Sequence, residues 1–158
     1  MTTEFNVLPH SIRSKEALQK ITSLDRKNNY TIDQKVFYPY QFVSYHIKVK
    51  TFLVKEGYLG CTIDMISGRE SVIDSKPTFF KKTLCKKERI QPVLTREKAE
   101  KQAIQYFQRQ TAKRLKFLAL PRYSLTDSHL FYRPYWIISS KNHRFIVDGL
   151  SGRFHPLT

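Results

Sequence analysis

Between Lys35 and Val54 the chain reads KVFYPYQFVSYHIKVKTFLV, in which Phe42, Ser44, His46 and Lys48 alternate with Val43, Tyr45, Ile47 and Val49. A period of two places these sets on opposite faces of a strand, and the aromatic and β-branched content favours the same assignment. The stretch HLFYRPYWIISSKNHRFIVDGLSGRFHPL, His129–Leu157, holds two more β runs around the polar SSKNH, which reads as a hairpin turn. A helical period precedes each strand region. After Ser14 as a candidate N-cap, Ala17, Leu18, Ile21 and Leu24 recur on one helical face before the polar DRKNN. After Thr95, a second candidate cap, Glu97 falls in the first turn and Ala99, Ala103, Ile104, Phe107, Ala112 and Leu115 form an apolar stripe. The order is helix, strands, helix, strands.

The two strand regions align with each other on Pro39-Tyr40 and Pro134-Tyr135. Each leads to the same hexapeptide pattern, Asp64-Met-Ile-Ser-Gly-Arg69 and Asp148-Gly-Leu-Ser-Gly-Arg153. The first copy is longer between proline and aspartate, and insertions at hairpin tips cost little because loop-closure entropy grows slowly with length. This internal match predicts an α+β protein of two repeated helix-plus-antiparallel-sheet modules, 1–80 and 81–158, packed as one compact unit.

Within the repeated hexapeptide, an aspartate can accept hydrogen bonds from amides two or three residues on, and a glycine can take the positive φ that closes a hairpin. Asp64, Gly68, Asp148 and Gly152 are therefore expected to build turns. The other reading is a carboxylate dyad of Asp64 and Asp148, since like charges held close split their pKa values. Neither aspartate opens an Asp-Thr/Ser-Gly triplet, and the flanking apolar residues agree with turn chemistry.

The helix opening LTREKAEKQA, the tyrosine-bearing strand and the closing VDGLSGRF together resemble the PepSY-type module, tolerably over Leu94–Phe154 and loosely over Ser14–Val72. The resemblance implies a tandem of small α+β modules with PepSY/cystatin-like layering of helix on sheet. It also implies a non-catalytic part in binding or regulating peptidases, often outside the cytoplasm. The start MTTEFNVLPHSIR departs from that pattern, having no apolar export region, and no stretch is long and apolar enough to span a membrane. A cytoplasmic location is expected.

Charge alters the picture most. The formal net charge is +15, and twelve Lys/Arg lie between Lys81 and Lys116 against only Glu88, Glu97 and Glu100. Lys98, Lys101, Gln105, Arg109, Lys113 and Lys116 recur at helical spacing opposite the apolar stripe, while Lys81, Lys82, Lys86, Lys87 and Arg89 lie just upstream. A solvated face normally mixes signs, so these ten cations are the candidate anion- and partner-binding residues. An acidic protein is the first candidate partner; nucleic acid held by phosphate contacts and an anionic membrane surface are the others. Tyr38, Tyr40, Phe42, Tyr132, Tyr135 and Trp136 could stack bases beside the lysines, but aromatics of a small sheet more often pack in its core.

Catalytic motifs are absent. Cys61 and Cys85 form no CxxC, and only Cys85, beside Lys86 and Lys87, invites a reactivity test. The histidines at 10, 46, 129, 143 and 155 lack metal-ligand spacing, and there is no glycine-rich phosphate loop, so no metal or cofactor is expected. The expected function is non-enzymatic: binding or regulation of an acidic partner protein through the basic helix face. The alternatives are nonspecific nucleic-acid binding and, more remotely, an enzyme using Cys85 or Asp64 and Asp148.

Overall fold

The computed structural model describes residues 3–50, 54–114 and 121–157. In chain order the elements are β1 (Glu4–Val7), α1 (Ser14–Leu24), β2 (Thr31–Lys50), β3 (Val54–Asp64), β4 (Glu70–Ile73), β5 (Phe80–Thr83), α2 (Arg96–Arg114), β6 (Arg122–Ser139), β7 (Arg144–Asp148) and β8 (Phe154–Leu157). All eight strands join one sheet, hydrogen-bonded in the order β4-β3-β2-β6-β1-β5, with β7 on β6 and β8 on β7. The sheet is mixed, because β1 meets β6 in parallel at Val7 and Tyr132 whereas β1–β5, β2–β3, β3–β4, β6–β7 and β7–β8 are antiparallel.

This corrects the expected fold class of two repeated helix-plus-sheet modules. A single large mixed sheet dominates, and the reason lies in two long strands. β2 has 20 residues and β6 has 18, and each continues through its Pro-Tyr step. Proline is tolerated there because it lacks only the N–H; the carbonyls of Pro39 and Pro134 still accept from the amides of Met65 at 3.1 Å and Gly149 at 2.9 Å. The compact units of the chain are accordingly interleaved. One consists of Met1–Tyr38, Phe79–Gln91 and Tyr132–Thr158, the other of Pro39–Thr78 and Pro92–Phe131.

In the first unit α1 buries Ala17 and Ile21 in a core with Tyr30, Ile138 and Val147. Its boundary residue is Arg13, extended and without a side-chain cap, so the helix begins at Ser14 rather than after it. The other end is tied by Asp25, whose carboxylate accepts from Asn28 Nδ2 at 2.8 Å and the Tyr30 hydroxyl at 2.7 Å. The second unit packs α2 through Ala99, Ala103 and Phe107 onto Val43, Tyr45, Cys61, Ile63 and Met65. The two alanines allow close approach of helix to sheet, and Phe107 meets Tyr45 edge-on at 6.0 Å. Thr95 caps this helix as expected, its Oγ1 accepting from the Lys98 amide at 3.2 Å.

Candidate anion-binding site

The repeated hexapeptide forms the same turn in both places. Asp64 N donates to Arg69 O at 2.9 Å and Gly68 N to Asp64 O at 2.8 Å; Asp148 N donates to Arg153 O at 2.8 Å and Gly152 N to Asp148 O at 2.9 Å. Each aspartate Oδ1 accepts the amide two residues on, from Ile66 at 2.8 Å and from Leu150 at 2.9 Å. Gly68 and Gly152 take φ of 78° and 73°, the left-handed region that glycine enters at least cost. Each turn also receives a helix approach. The Met65 carbonyl accepts from the Val93 and Leu94 amides, and the Gly149 carbonyl from those of Ser11 and Ile12. Further along the helices, Gln102 Nε2 donates to the Gly68 carbonyl and Lys20 Nζ to the Gly152 carbonyl. These are helix-docking turns.

Asp148 is buried and bound by Arg133, whose Nε donates to Oδ1 at 3.1 Å. Burial pushes its carboxyl up, but the Arg133 guanidinium, the Leu150 amide and the Ser151 hydroxyl outweigh that and hold it below the ordinary carboxylate value. Asp64 belongs to the second unit and Asp148 to the first, and each carboxylate serves its own turn. Cys61 is fully buried on β3, and burial pushes its thiol up to about 12; Cys85 is exposed.

The ten candidate cations divide between the units. Lys98, Lys101, Arg109 and Lys113 stand exposed on α2 in the second unit, and Lys116 lies outside the described residues, as does Leu115. Arg109 is engaged: its Nη2 donates to Glu70 Oε1 at 3.0 Å, and Gln102 holds the other oxygen of Glu70 at 3.0 Å. Lys98, Lys101 and Lys113 have no carboxylate within ion-pair distance among the described residues.

Lys81, Lys82, Lys86, Lys87 and Arg89 belong to the first unit. Lys86 and Lys87 sit exposed in a turn that Glu88 closes, its amide donating to Cys85 O at 3.2 Å and its Oε2 accepting from Cys85 N at 3.3 Å. Lys81 and Lys82 lie on β5 opposite Asn6 and Phe5. Arg89 pairs through the backbone with Phe37, and its guanidinium lies over the Phe5 ring at 4.4 Å.

Here the structure adds Lys35 to the candidate cations. Lys35, from β2, holds its ammonium 5.0 Å from the centroid of Trp136 and 5.6 Å from that of Phe37. Lys82 approaches the same Phe37 ring at 5.1 Å. Lys35 Nζ also donates to His10 Nδ1 at 3.1 Å. These side chains come from four separated segments, so no spacing in the sequence could group them. The only local signal is an unmatched lysine in the otherwise aromatic run KVFYPY.

Of the aromatics singled out in the sequence, Phe42 and Tyr132 are buried, while Tyr38 meets Tyr135 at 6.1 Å and Tyr40 stacks on Phe131 at 5.7 Å. A hollow of about 240 Å³ in the second unit is lined by Phe42, Gly60, Ile73 and Thr126, but Lys76 and Asp127 at its edge are paired at 3.5 Å. Among the described residues no group of three His, Cys, Asp or Glu could hold a metal ion, and no helix is long and apolar enough to cross a membrane. No family model, no curated protein and no solved structure matches the chain.

Proposed function

We propose that this chain is a non-enzymatic binding or regulatory protein that engages an acidic partner protein through the exposed face of α2. The observation that carries the reading is the set of Lys98, Lys101 and Lys113, exposed on one helix and unmatched by any carboxylate within ion-pair distance among the described residues. Exposed ammonium groups without partners raise the local concentration of a polyanion and speed its association. Ala99, Ala103 and Phe107 fix the opposite face in the core, so the lysines ride on a supported helix.

The test compares the chain with a Lys98→Glu/Lys101→Glu/Lys113→Glu variant in binding to polyglutamate and to single- and double-stranded oligonucleotides, with helicity monitored by circular dichroism. Saturable polyglutamate binding that the variant loses, with oligonucleotides bound no better than chloride screening allows, supports an acidic protein partner. Oligonucleotide binding whose log affinity falls with log salt at about −0.9 per phosphate contact would transfer the surface to nucleic acid instead. Polyglutamate binding unchanged in the variant removes α2 from the function.

A further inference from the structure

Three cations of the first unit are gathered on aromatic faces instead of on carboxylates. Lys35 lies over Trp136 and Phe37, Lys82 over Phe37, and Arg89 over Phe5, and none has an acidic group within ion-pair distance among the described residues. Exposed lysines ordinarily splay away from like charge into water. These are held together because β2 and β5 fix their stems and the rings cover part of their surface. Phe5 faces Lys82 across the β1–β5 ladder, and Arg89 bridges to Phe37, so the rings and cations interlock through named backbone pairs.

The donors are also oriented. An ammonium can only donate, so the 3.1 Å contact makes His10 Nδ1 the acceptor and leaves its proton on Nε2. Burial and the charges of Lys35, Lys82 and Arg13 keep the His10 imidazole below its ordinary value, in keeping with that neutral form. Burial, followed by Lys82, likewise pulls Lys35 below the usual lysine range, while Glu88 works in the opposite direction. The Arg89 Nε is buried with no hydrogen-bond partner among the described residues. A buried donor left unpaired is costly, and here it belongs to the guanidinium over Phe5, the residue that pairs with Lys82 across the β1–β5 ladder.

We propose that Lys35, Lys82 and Arg89 form a binding site for a phosphoryl dianion, with His10 holding Lys35 in place. A dianion neutralises two ammonium groups at once, which a carboxylate cannot, and its tetrahedral oxygens accept charge-assisted hydrogen bonds from ammonium and guanidinium together. The rings against these cations cover part of their surface and so strengthen those bonds. The site uses none of the α2 lysines, so it stands or falls separately from the acidic-partner reading.

The chain carries its own reporter, because Trp136 is its only tryptophan and Lys35 sits over the indole. Titration of the full chain with inorganic phosphate and with phenyl phosphate, at constant ionic strength in chloride, is expected to give a saturable change in Trp136 fluorescence at millimolar or lower concentration. Lys82→Gln, which leaves the Lys35 contact to the indole intact, should weaken binding by about tenfold or more, the loss of one charge-assisted hydrogen bond. Lys101→Gln should leave it unchanged. Phosphorus NMR line broadening supplies a second readout for Lys35→Gln, in which the fluorescence itself changes. Tighter binding of phenyl phosphate assigns the site to phosphate esters, and equal or tighter binding of inorganic phosphate assigns it to the free ion. A response no larger than that of chloride, or one identical in Lys82→Gln, overturns the proposal.

Discussion

Arg133 grips Asp148 at both carboxylate oxygens, Nε donating to Oδ1 and Nη2 to Oδ2. The carboxylate also accepts the Leu150 amide and the Ser151 hydroxyl, so one buried acid organises the whole turn on which α1 docks. Asp148→Asn should keep the turn amides satisfied but lose the charge-assisted pair, at a cost of about 2 kcal/mol in urea unfolding at neutral pH.

Acid should reveal the same carboxylate. Its folded-state value lies below the unfolded one, so the stability it contributes is complete above the ordinary carboxylate value near 3.8 and is lost as pH falls through the depressed folded value. Urea midpoints of the wild-type chain should therefore fall toward those of Asp148→Asn as the solution is acidified below pH 4. Midpoints that keep a constant separation down to that range would show that Arg133 does not hold the group ionised.

The two positive-φ glycines give a matched pair of tests. Alanine at Gly68 or Gly152 must adopt φ near 75°, at a cost of about 1–2 kcal/mol. The added Cβ at Gly152 would also come within 3.3 Å of Lys20 Nζ, the group that donates to its carbonyl. Asparagine should cost less than alanine at either position, since it tolerates the left-handed region. Thermal melts of the four single variants check both the size and the order of the effects.

How much of this was legible in the sequence depends on the range of the interaction. The hexapeptide turns were legible because aspartate, serine and glycine act on amides two to four residues away, and the Thr95 cap for the same reason. The strands were legible from alternation, but alternation reports which face is buried and not which strand lies alongside. Nothing in the Pro-Tyr steps shows that β2 and β6 run on through them, so the pattern alone points to two modules. The basic surplus of 81–116 was visible as composition, yet the partner of Arg109 is Glu70 and the neighbour of Lys82 is Phe37, both set by tertiary structure.

The two cysteines should separate cleanly by chemistry. Cys61 is buried with its thiol pushed up to about 12, and Cys85 is exposed. Reaction with a chromogenic disulfide at neutral pH should release one equivalent promptly from the folded chain, and a second only in urea. Cys85→Ser should abolish the prompt equivalent; two prompt equivalents would mean that β3 opens readily beneath α2.

His10 offers a local probe of the cation cluster. Its imidazole is held below 6.5 by burial and by Lys35, Lys82 and Arg13, so its NMR titration midpoint should lie under that value and rise in Lys35→Gln. Because the folded value is the lower one, this histidine favours folding above pH 6.5 and loses that contribution as pH falls through its folded midpoint.

The interleaving of segments also sets the order in which the chain can mature. Ala17 and Ile21 are made well before Ile138 and Val147, with which they form a core. The first helix therefore cannot complete that core until β6 and β7 have been made. By contrast the second helix emerges after Val43, Cys61 and Ile63 and can settle at once on strands already made. Vectorial synthesis thus lets the second unit close before the first, whose last segment, Tyr132–Thr158, follows it in the chain.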